Sequence, residues 1–198
     1  MGTRGVYGFR KDGKDKLGYS QYDSYPTGWP IEAINFIKET SDEELKEIAD
    51  RIILVTNDTP PTDEQVKECA KFTDLNVSNQ STEDWYCLLR DAQGDFSAYK
   101  TLSYMMDNAD FIKDSLFCEF AYIINLDEGV FEIYQGFNKK PGGKGRYAGE
   151  FIKRDYSDDK YYGVVLFKAI PLDEVRKIEK ADAFMEEISE EMCQEEEA

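Results

Sequence analysis

The sequence predicts a single α+β domain: a mainly antiparallel sheet with two tight hairpins, packed by several short helices and an acidic C-terminal helix. Two turns containing Asp and Gly between β-type runs predict the hairpins, and two Ser/Thr-x-x-Glu/Gln patterns predict helix starts. The 198 residues are 41% apolar and 14% aromatic, which is enough to fill one core. We expect this domain to cover residues 1–192 and an acidic tail to occupy residues 193–198.

The first hairpin is predicted from residues 5–10 and 16–22. The turn between them contains Asp12-Gly13, which favours the two positive φ angles of a type I′ turn. After this hairpin, Pro30 suits the first turn of a helix, because proline lacks the N–H that this position leaves unpaired. Isoleucines at helical spacing support that helix, at positions 31, 34 and 37.

Short elements are predicted between the two hairpins. Ser41-x-x-Glu44 and Thr62-x-x-Gln65 are capping boxes, and each should open a helix. The apolar run at residues 52–55 fits a buried strand. Two more helices are expected, one from residue 81 or 82 to near Gly94 and one over residues 97–106.

The second hairpin is predicted from residues 117–126 and 130–137, joined by the turn Asp127-Glu128-Gly129. Both strands carry aromatic and β-branched residues on both faces, so we place this pair centrally in the sheet. Residues 161–170 are expected to form a further strand, which Pro171 ends. A last helix should run from about Leu172 to Met192.

The residue content excludes several kinds of site. The chain has no histidine, so Ser-His-Asp and Cys-His catalysis are impossible within it, and its four cysteines are too scattered for a zinc site. No cofactor, metal ion or catalytic residue is assigned, and a non-enzymatic protein is favoured. There is no apolar leader and no apolar run of membrane-spanning length, so a cytoplasmic protein is expected, with no membrane partner.

Charge is strongly segregated along the chain. The net charge is −17, but residues 139–154 carry +5 and residues 1–16 carry +3, which leaves −25 on the remainder. An acidic surface of this kind repels nucleic acid and favours association with a basic protein. The C-terminal helix ends in acidic residues that oppose its own dipole, so local stability does not account for them. The candidate partner surface comprises Glu186, Glu187, Glu190 and Glu191.

A second candidate site is the basic, glycine-rich segment at residues 139–147. Its three glycines would let the backbone approach a small phosphate ligand while lysine and arginine supply charge. The spacing of a complete P-loop is absent, and a solvated hairpin loop is the alternative. The candidate anion-binding residues are Arg4, Lys140, Lys144, Arg146, Tyr147 and Arg154.

Two stretches carry a resemblance. Thr3-Arg4-Gly5, followed after one hairpin by Tyr22-Asp23-Ser24-Tyr25-Pro26, resembles a group of small, largely uncharacterised proteins of bacteria and their phages, and the hairpin at residues 122–134 is similar to theirs. In many of those proteins a histidine stands at the position of Gln21. The resemblance implies an accessory protein of a phage or mobile element. Asp23 and Tyr25 could end the hairpin in an Asx-type turn, or line a small cleft with Arg4.

These observations support one leading hypothesis and two others. The leading hypothesis is a non-enzymatic, acidic binding protein, of the phage type that inhibits a host defence or nucleic-acid-handling protein by imitating nucleic acid. The alternative is a nucleotide- or phosphate-binding protein or enzyme that uses the loop at residues 139–147. In the third hypothesis this is an ordinary bacterial protein, and its negative charge only keeps it soluble.

Overall fold

Five strands form the main sheet of this computed structural model, which describes residues 2–152 and 160–197. Their order is β2-β1-β5-β6-β7, and β3 and β4 form a separate two-stranded sheet. The strands are β1 Gly5–Lys11, β2 Lys14–Ser20, β3 Ile53–Val55, β4 Tyr104–Met106, β5 Phe120–Asn125, β6 Val130–Gln135 and β7 Val165–Pro171. The helices are α1 Pro30–Lys38, α2 Asp42–Arg51, α3 Asp63–Cys69, α4 Trp85–Leu88, α5 Leu172–Val175 and α6 Ala181–Glu197. The α+β prediction is confirmed.

Both predicted hairpins are present. Asp12 and Gly13 have φ angles of 53° and 72°, as the type I′ turn requires, and β1 and β2 pair in register around them. In the second hairpin, Gly129 has a φ of 65° and β5 pairs with β6. The prediction that this hairpin is central is confirmed, because β5 lies in the middle of the sheet. The hairpins are joined by parallel pairing of β1 with β5, the exception in a mainly antiparallel sheet.

The sheet separates two hydrophobic cores. Since successive residues of a strand point to opposite faces, Tyr7 and Phe9 enter the larger core and Val6 enters the smaller one. Residues of α1, α2, α5 and α6 cover the larger core, whereas the smaller one is closed by residues from loops, including Tyr147. Glu132 and Tyr134 share the loop-covered face of β6. The predicted basic loop therefore packs on the sheet.

The predicted helix starts at the two capping boxes are confirmed. The Ser41 side chain accepts the backbone N–H of Glu44, and the Glu44 carboxylate accepts the N–H of Ser41 in return. Thr62 and Gln65 make the same reciprocal pair at the start of α3. Pro30 occupies the first turn of α1, as expected.

Two helix predictions in the middle of the chain are wrong. Residues 97–106 do not form one helix, because a 3₁₀ segment at Phe96–Lys100 is followed by β4, which pairs in parallel with β3. The helix expected from residue 81 or 82 is a single turn, α4, and it begins after Asp84, whose carboxylate accepts the N–H of Tyr86. In both places, contacts with distant residues override the apolar spacing.

Two strands, β3 and β7, also differ from the predictions. The run at residues 52–55 forms β3, but its Ile53 is 53% exposed, so the predicted buried strand is wrong in its burial. β7 starts at Val165, four residues later than the predicted start at Tyr161.

The predicted last helix is split into α5 and α6. Arg176 bonds to the carbonyl of Thr40 and to Asp42, and Lys38 bonds to the carbonyl of Glu179. These bonds to α1, to α2 and to the turn between them hold residues 176–180 in an irregular segment. α6 then continues to Glu197, through most of the predicted tail. Within the described part of the chain, no helix is long and apolar enough to cross a membrane.

Candidate functional site

Arg146, the centre of the predicted anion loop, is bound by carboxylates. Its Nη1 atom donates to Oε1 of Glu132 at 2.7 Å and to the hydroxyl of Tyr134 at 2.9 Å, and its Nη2 atom lies 3.6 Å from Asp15. Burial, the largest single effect, lowers the pKa of Arg146, but the hydrogen bond to Glu132 and the negative charges around the guanidinium together outweigh burial, and the pKa is raised. The guanidinium therefore stays charged and is already neutralised from within the protein.

The other predicted anion ligands are dispersed. Tyr147 lies beside Arg146, but its hydroxyl donates to Asp15 at 2.7 Å. Lys140 and Lys144 are exposed in the loop. Arg4 stacks over the ring of Phe117, with 4.7 Å from its guanidinium carbon to the ring centroid. Arg154 lies outside the described residues. Of the predicted anion ligands, the structure thus brings Arg146 and Tyr147 together, and both already contact carboxylates of the protein.

The basic N-terminal strip is also used internally. Arg10 pairs with Asp15 at 2.9 Å, and Lys11 pairs with Asp50 at 2.7 Å. Lys16 donates to the carbonyls of two residues at the end of α2, at distances of 2.7 and 2.6 Å, and burial lowers its pKa. Most of the positive charge in this strip is therefore committed to contacts within the fold.

The acidic residues of α6 up to Glu191 point to solvent. Met185, Ile188 and Met192 bury the inner side of the helix, and the four predicted partner-surface glutamates are exposed. Glu191 pairs with Lys168 at 2.7 Å. Among the residues that the structure describes, no ion pair is formed by Glu186, Glu187 or Glu190. The last turn carries no basic residue, so the negative end of the helix dipole adds to the same charge.

Two neighbouring cavities were not predicted from the sequence. The first has a volume of about 300 Å³ and lies between β2, the segment after α4 and the loop after β4. Its walls are largely apolar and include Tyr19, Tyr86, Leu89, Met106 and Phe111. The polar residues Gln93 and Asn108 also line it. A concave aromatic site with a few polar groups is the usual form of a small-molecule site.

The second cavity is polar and has a volume of about 630 Å³. Its lining includes Gln93, which also lines the first cavity, and the carboxylates of Asp23, Asp74 and Asp91. Arg90 is held over the rings of Tyr22 and Tyr86, at 5.0 and 5.7 Å from their centroids. Its Nη1 atom donates to Oε1 of Gln93 at 2.6 Å.

The two cleft residues singled out in the sequence, Asp23 and Tyr25, both line this second cavity. Arg4, proposed with them, is not among the lining residues. The Asx-type turn is not formed as expected, because no backbone N–H of a described residue donates to the Asp23 carboxylate. The carboxylate instead accepts the hydroxyl of Tyr25 at 3.4 Å, and Asp23 has a left-handed φ of 56°.

Comparisons of the chain with protein-family models, with curated proteins and with solved structures find no match. The features that bear on function are therefore those of the chain itself. They are the exposed acidic side of α6, the ion pair between Arg146 and Glu132 and the two cavities that share Gln93.

Proposed function

We propose that this is a non-enzymatic, acidic binding protein that docks on a basic surface of a partner protein. The observation that carries the proposal is the outer side of α6, where Asp182, Glu186, Glu187 and Glu190 are exposed and form no ion pair with another described residue. We call these four residues the acidic stripe. Three cations of the two basic segments, Arg10, Lys11 and Arg146, are paired with carboxylates elsewhere in the fold.

The carboxylates of the acidic stripe repel one another, and a basic partner would reduce this repulsion. Asp182, Glu186 and Glu190 follow each other at i,i+4 spacing, where like charges destabilise a helix by a few tenths of a kcal/mol per pair. Lysines and arginines of a partner would convert this repulsion into attraction. Long-range attraction would also raise the association rate and make it depend on salt.

Proteins that handle nucleic acid present the kind of basic surface that the acidic stripe would fit. α6 has 17 residues and so is about 25 Å long, enough to cover a basic groove. We propose that the protein occupies such a surface on a host defence or nucleic-acid-handling protein, in the manner of a phage inhibitor. Nucleic acid itself would be repelled by the net charge of −17.

The alternative, a phosphate site in the loop at residues 139–147, has less support. A phosphate that approached Arg146 would have to compete with Glu132 and Asp15, which already contact its guanidinium. The exposed Lys140 and Lys144 would remain as its ligands. A shift in melting temperature with inorganic phosphate or nucleotides, lost in Lys140→Ala/Lys144→Ala, would favour this alternative over the acidic stripe.

The acidic stripe is tested by affinity capture from cell extract with Glu186→Gln/Glu187→Gln/Glu190→Gln beside the unchanged protein. The matched control is Glu64→Gln/Glu83→Gln/Glu128→Gln, which removes the same charge from exposed positions elsewhere. We expect a basic protein to be captured by the unchanged protein and by the control, and to be lost with the stripe variant. The purified pair should then dissociate as salt rises.

Two outcomes would count against the acidic stripe. If the captured protein binds the stripe variant and the control equally, the attraction comes from net charge and not from α6. If no protein distinguishes the three samples, and the purified protein stays free of partners at low salt, the acidity serves solubility.

A further inference from the structure

The two cavities that share Gln93 contain hydrogen-bond donors whose orientation the fold fixes. Oε1 of Gln93 accepts from Arg90 at 2.6 Å and from the backbone N–H of Gln21 at 3.2 Å. Because two N–H groups point at this atom, it is the oxygen of the Gln93 amide, and the other terminal atom of the amide is the NH₂ nitrogen. Among the described residues it has no acceptor, and it is free to donate to a bound molecule.

Asn108 is fixed in the same way. Its side-chain Oδ1 accepts the backbone N–H of Tyr19 at 3.2 Å, and its backbone N–H donates to the carbonyl of Leu17. The side chain is thereby tied to β2, and its NH₂ group bonds to no other described residue. The first cavity is therefore lined by two amide side chains whose oxygens are already committed to the protein and whose NH₂ groups have no acceptor among the described residues.

The walls around these donors suit a flat ring. Tyr19 packs edge-on against Phe111, with ring centroids 5.1 Å apart, and Tyr86 forms another wall. Aromatic side chains stack on heteroaromatic rings, and the amide groups of Asn and Gln bond to the polar edges of such rings. A cavity of about 300 Å³ is of the size that small ligands occupy.

The second cavity favours hydroxyl groups over phosphate. Its carboxylates at Asp23, Asp74 and Asp91 are hydrogen-bond acceptors, and Arg90 is the cation among its lining residues. The backbone N–H of Asn76 bonds to Asp74 and lowers its pKa, so this carboxylate is ionised at neutral pH. Three carboxylates against one guanidinium repel an anion and accept from sugar hydroxyls, as an acidic residue does from ribose in dinucleotide sites.

We propose that the paired cavities bind a nucleoside, with the uncharged base in the first cavity and the sugar in the second. The amide groups of Gln93 and Asn108 donate to acceptor atoms on the base, and Asp23, Asp74 and Asp91 accept from the sugar hydroxyls. This site is separate from the acidic stripe, so either proposal can fail without the other.

The test is isothermal titration calorimetry of the full chain with adenosine, guanosine, cytidine and uridine, and with the 5′-monophosphate of each. We expect at least one nucleoside to bind and to raise the melting temperature. Its monophosphate should bind at least about tenfold more weakly, which corresponds to a difference of about 1.4 kcal/mol in binding free energy.

Two isosteric variants test the assigned donors. Gln93→Glu and Asn108→Asp keep the oxygen that accepts from the protein and remove the NH₂ group, so each should weaken nucleoside binding by about tenfold. Gln194→Glu, an exposed site on α6, introduces the same charge and should leave binding unchanged. Tyr86→Leu removes a stacking wall and gives an independent loss if either amide variant folds poorly.

The proposal is overturned if no nucleoside binds at millimolar concentration while the protein is folded by circular dichroism. It is also overturned if a monophosphate binds more tightly than its nucleoside, or if folded Gln93→Glu and Asn108→Asp bind as well as the Gln194→Glu control.

Discussion

The Nη1 atom of Arg146 lies 2.7 Å from Oε1 of Glu132, whose side chain is only 4% exposed. Asn125 also donates to this oxygen, at 2.8 Å, and Tyr134 donates to the other carboxylate oxygen at 3.0 Å. The Nε and Nη2 atoms of Arg146 are buried without a hydrogen bond to the described residues. In this ion pair the carboxylate has all its hydrogen bonds but the guanidinium lacks some, so the pair contributes less to stability than its short distance suggests.

Removing one partner of this pair should cost far more than removing both. Arg146→Ala leaves the Glu132 carboxylate buried and without its cation, so we expect the free energy of unfolding to fall by about 3–5 kcal/mol. Arg146→Met/Glu132→Leu replaces the pair by apolar groups and should recover most of that loss. Urea denaturation of the two variants measures the difference.

Lys168→Ala is the comparison for this experiment. It removes the exposed pair with Glu191 and should cost at most about 1 kcal/mol. If Arg146→Ala were as mild as Lys168→Ala, or the double variant as unstable as Arg146→Ala, the Glu132 carboxylate would not depend on its cation.

Asp127 ties the two hairpin turns together, and its removal should separate them. Its two carboxylate oxygens accept the backbone N–H groups of Asp12 and Gly13, at 2.6 and 2.9 Å. We expect Asp127→Ala to lower the free energy of unfolding by about 1–2 kcal/mol at neutral pH. Glu128→Ala, in the same turn and exposed, should have no measurable effect.

The effect of Asp127→Ala should also depend on pH. The N–H of Gly13 lowers the pKa of Asp127 in the folded protein, so the unfolded chain takes up its proton first as pH falls. The stability that Asp127 contributes is fully present above the unfolded pKa of about 4 and is lost as pH falls through the lower folded pKa. Urea titrations of both proteins should therefore converge in acid. A difference that stays constant with pH would assign the loss to packing.

Asp84 is the buried counterpart of this arrangement. It is 4% exposed, and its carboxylate accepts from Ser78, Asn57 and the backbone of Tyr86, at 2.7, 3.2 and 2.9 Å. Asp84→Asn turns one acceptor into a donor that faces other donors, so we expect a loss of about 2–3 kcal/mol in urea denaturation. Asp91→Asn, an exposed carboxylate nearby in sequence, should stay within about 0.5 kcal/mol of the unchanged protein.

The four thiols should react in two classes. Cys193 is exposed, whereas Cys69, Cys87 and Cys118 are buried. Burial raises the pKa of Cys69 to about 11 and also raises that of Cys118, so thiolate is scarce at both. At mildly alkaline pH an aromatic disulfide reagent should modify Cys193 rapidly and the others only with unfolding. Cys193→Ser should abolish the fast phase. A fast phase that survives in Cys193→Ser would mean that a core thiol opens locally.

The parts of the fold that short sequence patterns encode were predictable. The turn at Asp12-Gly13 and the capping box at Ser41 depend on residues within a few positions of each other, and both are present. The 3₁₀ segment that contains Tyr99 depends instead on a contact between residues far apart in the sequence, because the hydroxyl of Tyr99 bonds to that of Tyr7, which is 92 residues away. No local pattern records that contact, so the apolar spacing at residues 97–106 predicted a helix.

The candidate sites show the same limit. The exposed glutamates of α6 followed from composition alone, since nothing basic lies near them in sequence. Arg146 was taken for an anion ligand because Glu132 and Asp15 belong to other strands of the sheet. The cavity that is lined by Gln93, Tyr19 and Asn108 gave no signal, because its lining residues come from segments that are far apart in the sequence.

The parallel ladder between β1 and β5 sets the order in which the chain can fold. Each hairpin closes within about twenty residues, but β1 must find β5 across a separation of 115 residues, as must Asp12 and Asp127. Closing so long a loop is entropically costly and is rewarded late, so both hairpins should form early and their docking should be the slow event. Until that event the inner edges of β1 and β5 stay unpaired, and this interval is when the chain is most exposed to misassociation with its own copies.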